Sequence, residues 1–179
     1  MAISSTLKAF LTKHKIKYKS QSHPAVYTAQ EIAAAQHVPG KQLAKCVLVK
    51  TDKGFYLAVL PAIYLVDLAK LKKLLKAKRL SLASESDIKQ VFPDVDVGAM
   101  PPFGNLYNVP TIVEKTLAES DEIVCNAGTH TETTKLRYQD FAKLAKPKVG
   151  SFGLHVATAR TRRKASARRR RKTIKRARR

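Results

Sequence analysis

Two cysteines among 179 residues, Cys46 and Cys125, are too few for a disulfide framework or a cysteine-based zinc spacing, so a reducing compartment is expected. The five histidines include no His-x-x-x-His pair. No Gly-x-Ser-x-Gly elbow and no phosphate-cradling P-loop occurs. The longest apolar stretch, residues 55–66, is broken by Pro61 and is too short to span a bilayer. The N-terminus lacks a charged region followed by an apolar run. These absences predict a cytoplasmic protein with no membrane association, and no internal repeat is visible. Acid is scarce as well: 13 Asp and Glu face 35 Lys and Arg, a formal net charge of +22. Such a balance points to a polyanionic partner.

What is present divides unevenly. Hydrophobic residues make up 44% of the chain, enough for a core. Thirteen cations and no acid fall within residues 160–179, leaving +9 on the body. Like charges at that density repel, so this tail is predicted to be disordered alone and able to become helical on a polyanion. The expected organisation is one domain over residues 1–153 and an Arg/Lys-rich tail over 154–179. Arg168, Arg169, Arg170, Arg171 and Lys172 are its densest run and the candidate RNA anchor, with a nuclear or ribosomal address as the other reading.

Local signals alternate between helix and strand. Leu7, Phe10, Leu11 and His14 share one helical face. Ile16, Tyr18 and Ser20 alternate with Lys15, Lys17 and Lys19, a strand with a basic outer face that ends at His23 and Pro24. Thr28 with Glu31 forms a capping box for a helix ending near residues 38–40. Residues 45–50 and 55–60 flank a turn with Gly54 and read as a hairpin. Asp67 caps a leucine-bearing helix, and Ser84 with Asp87 opens another that stops at Phe92 and Pro93. Strands over 111–113 and 122–126, one ending at Leu136, and a helix over 138–145 complete the pattern. The irregular alternation predicts an α+β fold with a mixed sheet.

Residues 98–104 hold two glycines and two adjacent prolines. Pro101 and Pro102 cannot donate to a ladder, and Gly98 and Gly104 permit close backbone approach. The expectation is a stiff loop with outward carbonyls suited to a ligand bearing donors; a plain connection is the simpler reading. Lys45 shares a strand face with Val47 and Val49. It is either a cation at a pocket mouth, aimed at phosphate or carboxylate, or a snorkelling strand-end lysine. His130 follows Gly128 on a turn after a strand, as a donor or base or as an inert loop residue. His130 with Glu132 superficially matches a zinc-deaminase opening, but its Pro-Cys-x-x-Cys partner is missing and no metal is expected. His23 ends a strand or contacts ligand, Thr28 caps a helix, and Tyr27 faces the core or a pocket. Phe103 supplies packing area first. Cys46 and Cys125 sit in apolar strands as structural thiols.

Taken in order, these segments resemble a known family. They are His23, Pro24, Tyr27, Thr28 and Glu31; residues 43–49 around Lys45; residues 57–61; residues 82–84; Gly98, Ala99, Met100, Pro101, Pro102 and Phe103; and residues 126–130 ending in His130. The set is similar to the YbaK/ProX family of free-standing aminoacyl-tRNA deacylases, related to the editing insertion of bacterial prolyl-tRNA synthetase, over residues 1–153. The resemblance implies an α+β fold with a mixed, curled sheet and flanking helices, and hydrolysis of a wrongly attached, small amino acid from the tRNA 3′ adenosine. It implies that Lys45 holds the terminal phosphate and that backbone groups from Gly98 to Pro102 position the aminoacyl end, with His130 assisting. His23, Tyr27, Thr28, Ala99, Met100, Pro101, Phe103 and Gly128 are the implied substrate-binding neighbours. The implied partners are mischarged tRNA and an aminoacyl-tRNA synthetase, with neither cofactor nor metal. No nucleophile stands out, so direct water attack is expected. A non-catalytic RNA-binding module that keeps this fold is the alternative. The amino acid, the tRNA and the oligomeric state are left open.

Overall fold

A computed structural model describes residues 3–25 and 27–155. The chain order is α1 (Ser5–Lys13), β1 (Tyr18–Ser22), α2 (Ala29–Ala35), β2 (Leu43–Thr51), β3 (Gly54–Pro61), β4 (Tyr64–Val66), α3 (Leu68–Leu75), β5 (Leu80–Leu82) and α4 (Glu85–Val91). A 3-10 turn (Gly104–Tyr107) then leads to β6 (Thr111–Glu114), α5 (Lys115–Ala118), β7 (Glu122–Asn126), β8 (Glu132–Arg137), α6 (Tyr138–Ala145), β9 (Lys148–Gly150) and β10 (Gly153–His155).

Helix starts follow side-chain chemistry. The Ser4, Thr28, Asp67 and Ser84 side chains each accept a backbone N–H of the following turn, and Thr28 with Glu31 and Ser84 with Asp87 close full capping boxes. α2 ends at Ala35, earlier than the expected 38–40. The Gln36 amide instead donates to the Gln21 carbonyl, and its oxygen accepts from the Thr133 hydroxyl.

The main sheet runs β1-β8-β7-β2-β3-β6-β9, with β5 added beside β2, and β4 and β10 form a separate two-stranded ribbon. β2 pairs antiparallel with β3 but parallel with β7; β6 is parallel to both β3 and β9. The fold is therefore α+β with a mixed sheet between helices, as expected from sequence. Alternation along β2 separates two sides. Ala44, Cys46 and Leu48 join a large cluster with Leu7 and Leu11 of α1, Phe141 of α6, Phe92, Met100 and Phe103. On the other side Val47 and Val49 pack under Leu71 and Leu75 of α3, while Leu43 and Val124 pack under Ile32 and Ala33 of α2. Lys45 falls between those two smaller clusters, and in β3 it faces Leu60.

Candidate active site

The parallel ladder of β2 with β7 aligns Leu43 with Val124 and Ala44 with Cys125. Lys45 and Asn126 each follow the last paired residue of that ladder, and Lys45 lies on the face that carries α2 and α3. Lys45 is half-buried, and its Nζ lies 3.5 Å from the Ala62 carbonyl oxygen. It has no carboxylate partner among the described residues. Burial without a counter-ion pushes its pKa below the usual lysine range.

Asn126 bonds to the proline loop. Its amide Nδ2 donates to the Gly98 carbonyl at 3.3 Å, while its Oδ1 is buried without a partner among the described residues. The turn between β7 and β8 grips the same loop. His130 Nε2 donates to the Val97 carbonyl at 3.0 Å, and Gly128 N–H donates to the Ala99 carbonyl at 3.1 Å. In return, Asp96 N–H donates to the Gly128 carbonyl. Gly98 (φ +92°) and Gly128 (φ +102°) occupy backbone conformations that side chains resist, and a Cβ on Gly128 would lie 2.7 Å from Ser4 Cβ. Outward carbonyls are expected of this loop, but those at 97–99 are not presented outward. They are spent on the β7–β8 turn, because a buried loop must satisfy its backbone locally.

Two histidines are oriented the same way. A carbonyl can only accept, so His130 Nε2 carries a proton, and its buried Nδ1 has no partner among the described residues. His23 donates from Nδ1 to the Pro24 carbonyl at 2.8 Å, leaving a buried Nε2 without a partner among the described residues. The backbone N–H of His23 donates to the Thr131 carbonyl, which anchors it beside the same turn. Tyr27 is 73% exposed yet sets its ring 4.8 Å from that of His130. His23 Nε2, Asn126 Oδ1 and His130 Nδ1 are thus buried polar atoms without a partner among the described residues, as are the Thr116 and Thr134 hydroxyls. Leaving a buried polar atom unpaired costs about 1–3 kcal/mol, so each calls for an explanation.

The remaining candidates divide. Thr28 is a helix cap: its hydroxyl accepts from Glu31 N–H, and its side chain is turned to its own helix. Ala99, Met100, Pro101, Pro102 and Phe103 are all buried. Met100 and Phe103 belong to the large cluster, and Phe103 packs edge-on to Phe10 and Phe141, so their side chains serve the core and not a ligand. Of this loop only Gly98 is exposed. Burial raises the Cys125 thiol to about 12 and that of Cys46 well above its ordinary value, so both stay protonated and act as packing. The residues Arg168, Arg169, Arg170, Arg171 and Lys172, and the predicted disordered tail, lie outside the described residues. Among the described residues, no group of three or more His, Cys, Asp or Glu stands together as a metal site, and no helix is long and apolar enough to cross a membrane. Asn126 was not among the residues singled out from sequence. Its position at the end of an apolar strand, just before Gly128, was its only local sign.

The mixed sheet with helices on both of its sides defines an α+β domain. The aminoacyl-tRNA editing domain profile matches residues 23–144, and the chain belongs to that family. Solved structures agree in fold. A proposed trans-editing enzyme for prolyl tRNA synthetase superposes with a TM-score of 0.73 at 22% identity, covering 83% of this chain and 95% of the other. The hypothetical protein APE2540 gives 0.76 at 16% identity, covering 84% and 100%. A scaffold protein from computational epitope grafting gives 0.73 at 22% identity, covering 83% and 96%. Among curated proteins, none matches this sequence.

Proposed function

We propose that this chain is a trans-acting deacylase, which hydrolyses the ester between a small amino acid and the 3′ end of a mischarged tRNA. The observation that carries the reading is a half-buried Lys45 with no carboxylate partner among the described residues, on the sheet face that Asn126 shares, where Asn126 Nδ2 donates to the Gly98 carbonyl. The buried Asn126 Oδ1 and His130 Nδ1, without partners among the described residues, support it.

In this mechanism Lys45 holds the phosphate of the terminal nucleotide. Its reduced hydration strengthens that contact, since charge attraction grows as solvent is excluded. The α-ammonium of the amino acid, or the hydroxyls of the terminal ribose, donate to Asn126 Oδ1. Tyr27 covers the His130 ring. A water then forms a bond to the ester carbonyl carbon; the carbon–oxygen bond to ribose breaks, and the ribose oxygen leaves with a proton. His130 Nδ1, which has no partner among the described residues, can take a proton from that water. An aminoacyl ester is already activated, so positioning supplies much of the needed rate. Residues 1–153 form the catalytic unit, residues 154–179 attract RNA by charge, and the setting is cytoplasmic, with a synthetase as a further partner.

A panel of tRNAs, each carrying a different amino acid, tests the reading with the purified full chain. Release of one or a few small amino acids is the expected result. Intact tRNA binding with no release from any member would replace the hydrolase with a binding module.

A further inference from the structure

A groove of about 500 Å³ opens beside β1 and β8, lined by Lys15, Lys17, Lys19, Lys135 and Arg137 together with Glu122 and Asp140. Its two acids are already engaged: Glu122 lies 2.7 Å from Lys135, and Asp140 lies 3.0 Å from Arg137. Lys15, Lys17 and Lys19 have no carboxylate in ion-pair range among the described residues. The ladder also sets Lys19 directly across from Lys135, a like-charge pairing that destabilises a sheet. We propose that this groove is a docking surface for the phosphodiester backbone of RNA.

Register places the groove on the same side of the sheet as the candidate active site. Lys19 is level with Lys135, Lys135 with Val124, and Val124 with Leu43, so all four side chains share one face. Lys45 lies two residues beyond Leu43 and therefore shares it too. Three strand spacings, roughly 14 Å, separate Lys19 in β1 from β2. Lys15 and Lys17 lie in the short segment that leads into β1, so the three cations follow one another along a single stretch of chain. Between groove and site lies α2, which exposes Gln30 and Glu31 at its start, the Glu31 carboxylate accepting from Thr28 N–H, and only the methyl groups of Ala34 and Ala35 at its end. A nucleic-acid strand can cross that low ridge. The lysines precede residues 23–144, the part matched by the family, so one wall of the groove belongs to this chain's own N-terminal segment.

That the polyanion is RNA rests on the proposed function; that the groove takes phosphates rests on the geometry alone. The test uses full-length protein with Lys15→Gln, Lys17→Gln and Lys19→Gln combined. A charge-matched control carries Lys8→Gln, Lys89→Gln and Lys143→Gln on helices packed against the opposite face. Binding of uncharged tRNA is measured against salt. The groove variant is expected to bind about 10-fold more weakly, with a log–log salt slope shallower by about 2 to 3. The control keeps most of both. With mischarged tRNA the groove variant raises KM and leaves kcat unchanged, while hydrolysis of a short aminoacyl trinucleotide is unaffected. Lysines on an edge strand also prevent sheet-to-sheet pairing. If that is their whole role, affinity and slope stay at wild-type values and the proposal is overturned; equal losses in groove variant and control overturn it too. A wild-type protein inactive on every mischarged tRNA would remove the deacylase reading, while the binding comparison would still decide the groove.

Discussion

The two faces of the central sheet are built to different ends. One is sealed by α1, α6 and the proline loop, with Phe92, Phe103 and Phe141 fully buried among leucines. The other carries two smaller clusters under α2 and α3, with Lys45 at the seam between them. The proline loop serves both. It sends Met100 and Phe103 into the sealed face and offers the Gly98 carbonyl to Asn126, which lies on the open face. The segment that carries Gly98 is thus anchored in the buried core.

This contrast predicts separable losses. Phe103→Ala, on the sealed face, is expected to cost about 3–5 kcal/mol of stability, the range for a buried aromatic truncated to alanine. Denaturant unfolding measures it, and a loss below 1 kcal/mol would mean that the loop is not anchored by packing. A smaller effect is expected on the open face, as a function of pH. Burial disfavours the charged form of Lys45, so its proton leaves below the 10.5 of an ordinary lysine. Affinity for a CCA-ending RNA oligonucleotide is therefore full near neutrality and falls as pH rises through the depressed value. Lys45→Arg stays charged and should remove that limb. A wild-type limb at or above 10.5 would show that Lys45 is not the group being read.

Sequence revealed what local chemistry decides. The caps at Thr28, Asp67 and Ser84 bond to backbone three residues away, so their residue types announce them. The β2–β3 hairpin is written in two apolar runs around Gly54. Lys45 stood out as a charge on an apolar strand face. The three-residue strands β4, β5, β9 and β10 were missed because distant partners hold them, not their own pattern. The same cause hid Asn126, whose meaning depends on a parallel ladder with β2. The outward carbonyls expected of the proline loop were wrong for a related reason: only the fold brings the β7–β8 turn against them.

The central claim is that Lys45 beside the Gly98 loop performs the editing chemistry. Single-turnover hydrolysis of a mischarged tRNA by Lys45→Ala, with its melting curve recorded alongside, addresses it directly. The account predicts a rate loss of about 100-fold or more with an unchanged fold, as expected when a reacting ester loses its positioning contact. Wild-type turnover in that variant would contradict it.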